Sequence, residues 1–125
     1  MNWIPILEVL AERRWMLDSW AIWATRIIEA CLHVLGPQFK VFITGDVIEG
    51  RKWGGGLVEV IIALRETPQG ELELSRIKSL IEKGARLPPY HPFKILVVSE
   101  SNLDEYLGAR KRVEVIPLKF KGTAL

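Results

Sequence analysis

Cysteine is almost absent from this chain: Cys31 stands alone in 125 residues. A lone thiol builds no disulfide framework and no cysteine-based zinc site. Histidine is nearly as scarce, and His33 and His91 lie far apart. No apolar run reaches the ~18 residues that a membrane-spanning helix needs. The N-terminus has no basic stretch leading into a clean apolar one, so no signal peptide is expected and a cytoplasmic location is the default. Net charge is only +2, too little to imply a nucleic-acid partner without local clustering of Lys and Arg. Two Asn, two Gln and two Met make up the thermolabile residues besides Cys31, a bias in the direction of a thermophilic source.

Apolar side chains are what the chain does have, at 49% of its residues. A domain of this length buries roughly two thirds of its unfolded surface. Charged residues, at 26%, are of mixed sign, which argues against disorder. The expectation is one domain over residues 1–125, with an N-terminal helix (1–36), a sheet with helices (39–118) and a tail (119–125).

Residues 4–35 read as one long helix with Pro5 as its candidate break. Leu17, Trp20, Ala24, Ile27, Ile28, Cys31 and Leu35 recur at steps of three and four, an apolar stripe at helical period. Gly36-Pro37 ends it. His33 reads as a surface residue and Cys31 as core. Strands are expected at 39–44, 57–64, 93–98 and 112–118, the last at an edge because of Pro117. In the second, Leu57, Glu59, Ile61 and Ala63 share one face and Val58, Val60, Ile62 and Leu64 the other. A short helix or loop is expected at 47–52, a glycine-rich connector at Trp53 to Gly56, a turn at 67–70, an amphipathic helix at 72–83 and a short helix capped by Ser101. The sum is an α/β (α+β) fold, a mixed sheet of about three to five strands packed against helices.

One stretch carries a resemblance. Phe42-Ile-Thr-Gly45-Asp46 is similar to the strand and Gly-Ser turn of the DNA polymerase beta-like nucleotidyltransferase superfamily. Glu49-Gly50-Arg51 resembles the segment that follows, and Gly56-Leu57-Val58-Glu59-Val60 its Asp-x-Asp strand. Residues 87–98, with Pro88-Pro89-Tyr90-His91-Pro92-Phe93, resemble the lead-in to the third acid in small, single-domain archaeal members. The likeness spans roughly residues 16–98 and implies that fold. It also implies a site in which three carboxylates hold two magnesium ions on a nucleoside triphosphate.

The departures fall on the chemistry. Leu57 stands at the first acid position and Lys94 at the third; only Glu59 keeps an acid. One carboxylate does not meet magnesium's demand for several oxygen ligands. Asp46 replaces the turn serine and would repel phosphate, although it reads equally well as the N-cap of a helix from Val47. An ion pair between Glu59 and Lys94 is expected to stand in for the metal site. No catalytic residue, metal ligand or cofactor is therefore assigned with conviction. Magnesium and ATP enter only under the alternative, a transferase using Glu59.

Four of the five tryptophans fall in the N-terminal helix. Trp15, Ile22 and Trp23 lie partly off the core stripe and are the candidate interface, since Trp is enriched at binding hot spots. The expected function is a pseudoenzyme: a binding or assembly subunit, homodimeric through these helices. The resemblance also implies a helical partner protein, as in toxin–antitoxin-type pairs. Arg51, Lys52, Arg110, Lys111, Arg112, Lys119 and Lys121 form either a patch for RNA phosphate or a solvated edge.

Overall fold

The computed structural model describes residues 4–50, 56–66 and 70–115. Two helices open the chain, α1 (Ile4–Asp18) and α2 (Trp20–Leu35). The single long helix expected there is therefore two, and the break is at Ser19 rather than Pro5. Ser19 has ψ 29°, far from the helical value near −42°. Its hydroxyl donates to the Trp15 carbonyl at 2.6 Å, a back-bond of the kind that bends helices. Pro5 sits in the first turn of α1, where a missing N–H costs nothing.

The remaining elements are β1 (Phe39–Gly45), β2 (Val58–Leu64), α3 (Glu71–Gly84), β3 (Phe93–Ser99), a 3-10 turn (Glu100–Asn102), α4 (Leu103–Leu107) and β4 (Val113–Val115). Ser101 thus lies inside the 3-10 turn instead of capping a helix. Its hydroxyl meets that of Ser99 at 3.0 Å. The strands form a mixed sheet in the order β3-β2-β1-β4. β1 runs antiparallel to β2 and β4, and β2 parallel to β3 through the α3 crossover. β4 lies at the edge, as Pro117 predicts; residues 116–118 are outside the described range.

The alternation read in β2 decides what each face does. Val58, Val60, Ile62 and Leu64 join the main core with Ile27, Ile28 and Cys31 of α2 and Ile77 and Ile81 of α3. Ile61 and Ala63 face the opposite way, into a smaller cluster with Phe42, Val98 and Leu107 of α4. Helices thus cover one face fully and the other in part. β2 is buried at every position except Glu59, so a carboxylate sits where the sheet's second face comes out from under α4. Among the described residues no helix is long and apolar enough to cross a membrane.

Candidate functional site

Strand register builds the site. Thr44 of β1, Glu59 of β2 and Lys94 of β3 are successive partners in one row across the sheet. Same-row residues on adjacent strands project from one face. One step further out, Gly45 makes the turn at φ +113°. A Cβ there would press into the Leu57 carbonyl oxygen, so the close approach of turn and strand requires glycine. Asp46 then seals the turn onto β2: its N–H donates to the Leu57 carbonyl at 3.0 Å, and its carboxylate accepts the Leu57 N–H at 3.1 Å. Of the short helix or loop expected at 47–52, the described part is a run of turns over 46–50. Asp46 is accordingly no N-cap; it holds Leu57. All five residues singled out by the resemblance, Gly45, Asp46, Leu57, Glu59 and Lys94, gather at this end of the sheet.

The expected ion pair is corrected here. Glu59 and Lys94 are register neighbours, but Glu59 pairs with Arg110, whose Nη1 lies 2.8 Å from Oε1. The Thr44 hydroxyl, fully buried, donates to the same oxygen at 3.3 Å. Arg110 reaches Glu59 because α4 stops at Gly108 (φ +51°) and the chain turns back across the second face. The Arg110 N–H donates to the Leu107 carbonyl at 3.0 Å, and its second guanidinium nitrogen donates to the Tyr106 carbonyl. A guanidinium can satisfy a carboxylate and a carbonyl at once, which an ammonium on a neighbouring strand does less well. Lys94 is left exposed.

Magnesium does not fit these residues. Leu57 and Lys94 bring no carboxylate to this end of the sheet. Glu59 is neutralised by Arg110, and one oxygen of Asp46 accepts the Leu57 N–H. Among the described residues no three His, Cys, Asp or Glu side chains form a group able to hold a metal. No catalytic step through a metal is derived.

The Tyr90-His91 segment works as a fastener. Arg13 of α1 donates to the Tyr90 carbonyl at 2.6 Å and to the Gly56 carbonyl at 3.2 Å. The Tyr90 hydroxyl donates to Glu12, and that bond raises the phenol's pKa above its ordinary value, helped by desolvation. The His91 Nδ1 accepts the Phe93 N–H at 3.1 Å, so Nε2 carries the proton and faces Glu82 Oε2 at 3.2 Å. The Pro92 carbonyl accepts the Val58 N–H at 3.0 Å. These bonds lock the starts of β2 and β3 together and tie both to α1. Sequence reading missed Arg13, Glu12 and Arg110 as partners, and no local spacing signals them.

The candidate interface divides. Trp15 is 56% exposed and Ile22 63%, but Trp23 is 7% exposed. Trp23 belongs to the core: it packs on Phe93 at 6.5 Å between ring centroids and takes the Trp15 ring edge-on at 5.7 Å. The Arg26 guanidinium lies 4.8 Å from its centroid. Burial leaves Trp23 little surface for a partner. Of the basic cluster, Arg110 is committed to Glu59, and Lys111 and Arg112 are exposed. Arg51, Lys52, Lys119 and Lys121, like Trp53 and the turn at 67–69, lie outside the described residues. No family model matches the chain, and neither a curated protein nor a solved structure matches it.

Proposed function

We propose that this chain is a non-catalytic binding or assembly subunit of nucleotidyltransferase-like design, and that it pairs with a second copy through its N-terminal helices. One observation carries the reading. Five of the ten large apolar side chains exposed among the described residues lie on α1 and α2: Ile6, Leu7, Leu10, Trp15 and Ile22. The apolar residues of α1 run round its circumference, and a helix of that kind is ordinarily covered. Large apolar side chains left exposed in such number on neighbouring helices favour an interaction site.

The chemistry of the sheet end supports the non-catalytic half. A carboxylate paired with Arg110 and flanked by Lys94 and Leu57 offers a divalent ion a cationic rim. The test has two arms. Calorimetric titration with ATP, with and without magnesium or manganese, is expected to show no metal-dependent binding. Sedimentation over a concentration series is expected to show a dimer. Magnesium-dependent ATP binding would overturn the first half in favour of transfer of a nucleoside monophosphate through Glu59. A monomer at all concentrations would overturn the second.

A further inference from the structure

The outer face of α1 is self-complementary about Ala11, and we infer that two copies of this chain meet there, their α1 helices antiparallel across a two-fold axis at that residue. This rests on the assembly reading above and goes beyond it by naming the seam. α1 is one unbroken helix over Ile4–Asp18. Its inner face holds the body: Glu12 and Arg13 bond to Tyr90, and Met16 and Leu17 enter the core. Leu7, Glu8, Ala11, Arg14 and Trp15 are all exposed. The other four lie three and four residues either side of Ala11, which makes them one patch of the helix surface. Ala11 comes two residues before Arg13, about half a turn round the helix, so the patch points away from the sheet. Residues 5–8, 10 and 11, in the first two turns, are exposed as well. A helix draws most of its stability from packing, and a single copy gives these turns little of it.

The order of these groups is what selects a second copy. An isologous interface sets each group against what lies at the same distance on the other side of the axis. Glu8 and Arg14 lie three residues before and after Ala11, about 4.5 Å along the helix in each direction. Leu7 and Trp15 lie four residues before and after, about 6 Å out. A two-fold axis at Ala11 therefore sets Leu7 and Glu8 of each copy against Arg14 and Trp15 of the other, twice. The Glu8 carboxylate meets the Arg14 guanidinium, and the Trp15 indole N–H offers it a second donor. Leu7 meets the Trp15 ring and the apolar stem of Arg14. Ala11 meets its own copy at the centre, where a small side chain lets two helices approach to about 8 Å. A parallel pairing would instead set Glu8 on Glu8 and Arg14 on Arg14, which repel. Neither Glu8 nor Arg14 has an ion-pair partner among the described residues, so both are available. The edge-on contact with Trp23 already orders the Trp15 ring, which lowers the entropic cost of burying it.

Charge reversal tests the seam directly. Glu8→Lys and Arg14→Glu each place two like-charged pairs across the axis. Each variant is expected to weaken self-association by at least about tenfold in sedimentation equilibrium, with an unchanged circular dichroism spectrum because both sites are exposed. Mixed in equal amounts, the two variants are expected to form a heterodimer. The lysine introduced in one copy then faces the glutamate introduced in the other, and the native pair is kept on the far side of the axis. The doubly reversed chain is expected to dimerise again. Ala11→Cys puts two thiols on the axis and is expected to cross-link the dimer on mild oxidation, faster than Ile22→Cys on α2; Cys31 is buried and does not compete. A wild-type dimer indifferent to both charge reversals, variants that fail to recover on mixing, or equal cross-linking at the two sites would overturn this seam while leaving assembly through another face standing. A wild-type monomer at every concentration would overturn the seam and the assembly reading together.

Discussion

Arg110 closes an ion pair on Glu59 at 2.8 Å, across 51 positions of sequence. The chain thereby covers the Glu59 carboxylate at the sheet end with its own guanidinium. Glu59 is 17% exposed and Arg110 44%, so water screens the pair in part. Arg110→Ala is expected to cost about 0.5–1 kcal/mol in urea unfolding. Lys94→Ala is expected to cost less than about 0.5 kcal/mol, because its side chain takes no part in holding Glu59. Equal effects would mean that the carboxylate shares itself between both cations.

Gly45 tolerates nothing larger. Its φ of +113° and the Leu57 carbonyl facing the Cβ direction act together. Gly45→Ala is expected to destabilise by about 3 kcal/mol, from strained backbone plus displacement of a strand end. The loss should appear as a lower midpoint with an unchanged slope in denaturant unfolding. A near-neutral result would show that the turn can move away from β2.

Cys31 is expected to be inert in the folded chain. Burial pushes its thiol up to about 12, whereas an unfolded cysteine titrates near ~8.5. The fold therefore holds the neutral form. That contribution is complete below about pH 8.5 and is lost as the pH rises through the folded value near 12. A disulfide reagent at about pH 8 should label Cys31 only in denaturant, and Cys31→Ala should flatten the alkaline fall in stability. Rapid labelling of the native protein would place the thiol at the surface.

Tyr90 reports on the tie between α1 and the sheet. Its hydroxyl donates to Glu12, and this bond, with desolvation, raises its pKa above the ordinary value. The tie is intact below the unfolded value near ~10 and is lost as the pH rises through the folded one. Phenolate absorbance during a pH titration should show one late-titrating tyrosine, and Glu12→Gln should bring it down. Hydrogen exchange in α1 should quicken in Tyr90→Phe. No change in α1 would mean that Arg13 and the buried Met16 and Leu17 hold it without the Tyr90 bond.

The local pattern of this chain determined most of its elements and the faces of its central strand. Alternation is a backbone property: Val58, Val60, Ile62 and Leu64 turn one way and Ile61 and Ala63 the other whatever the strands pair with. The apolar stripe of α2 followed from its period in the same way, and the edge position of β4 from a proline. Gly45, Asp46, Leu57 and Glu59 could be read together from one stretch because β1, the turn and β2 are consecutive. Tertiary structure decided the rest. The break at Ser19 goes with the back-bond its side chain makes to the Trp15 carbonyl, which the apolar period of the stripe does not signal. Trp23 enters the core because β3 brings Phe93 beneath it. Glu59 takes Arg110 over Lys94 because α4 carries the chain back across the sheet on its way to the far edge. The last two are contacts between distant segments, set by strand order and crossover, and spacing along the chain carries no trace of such contacts.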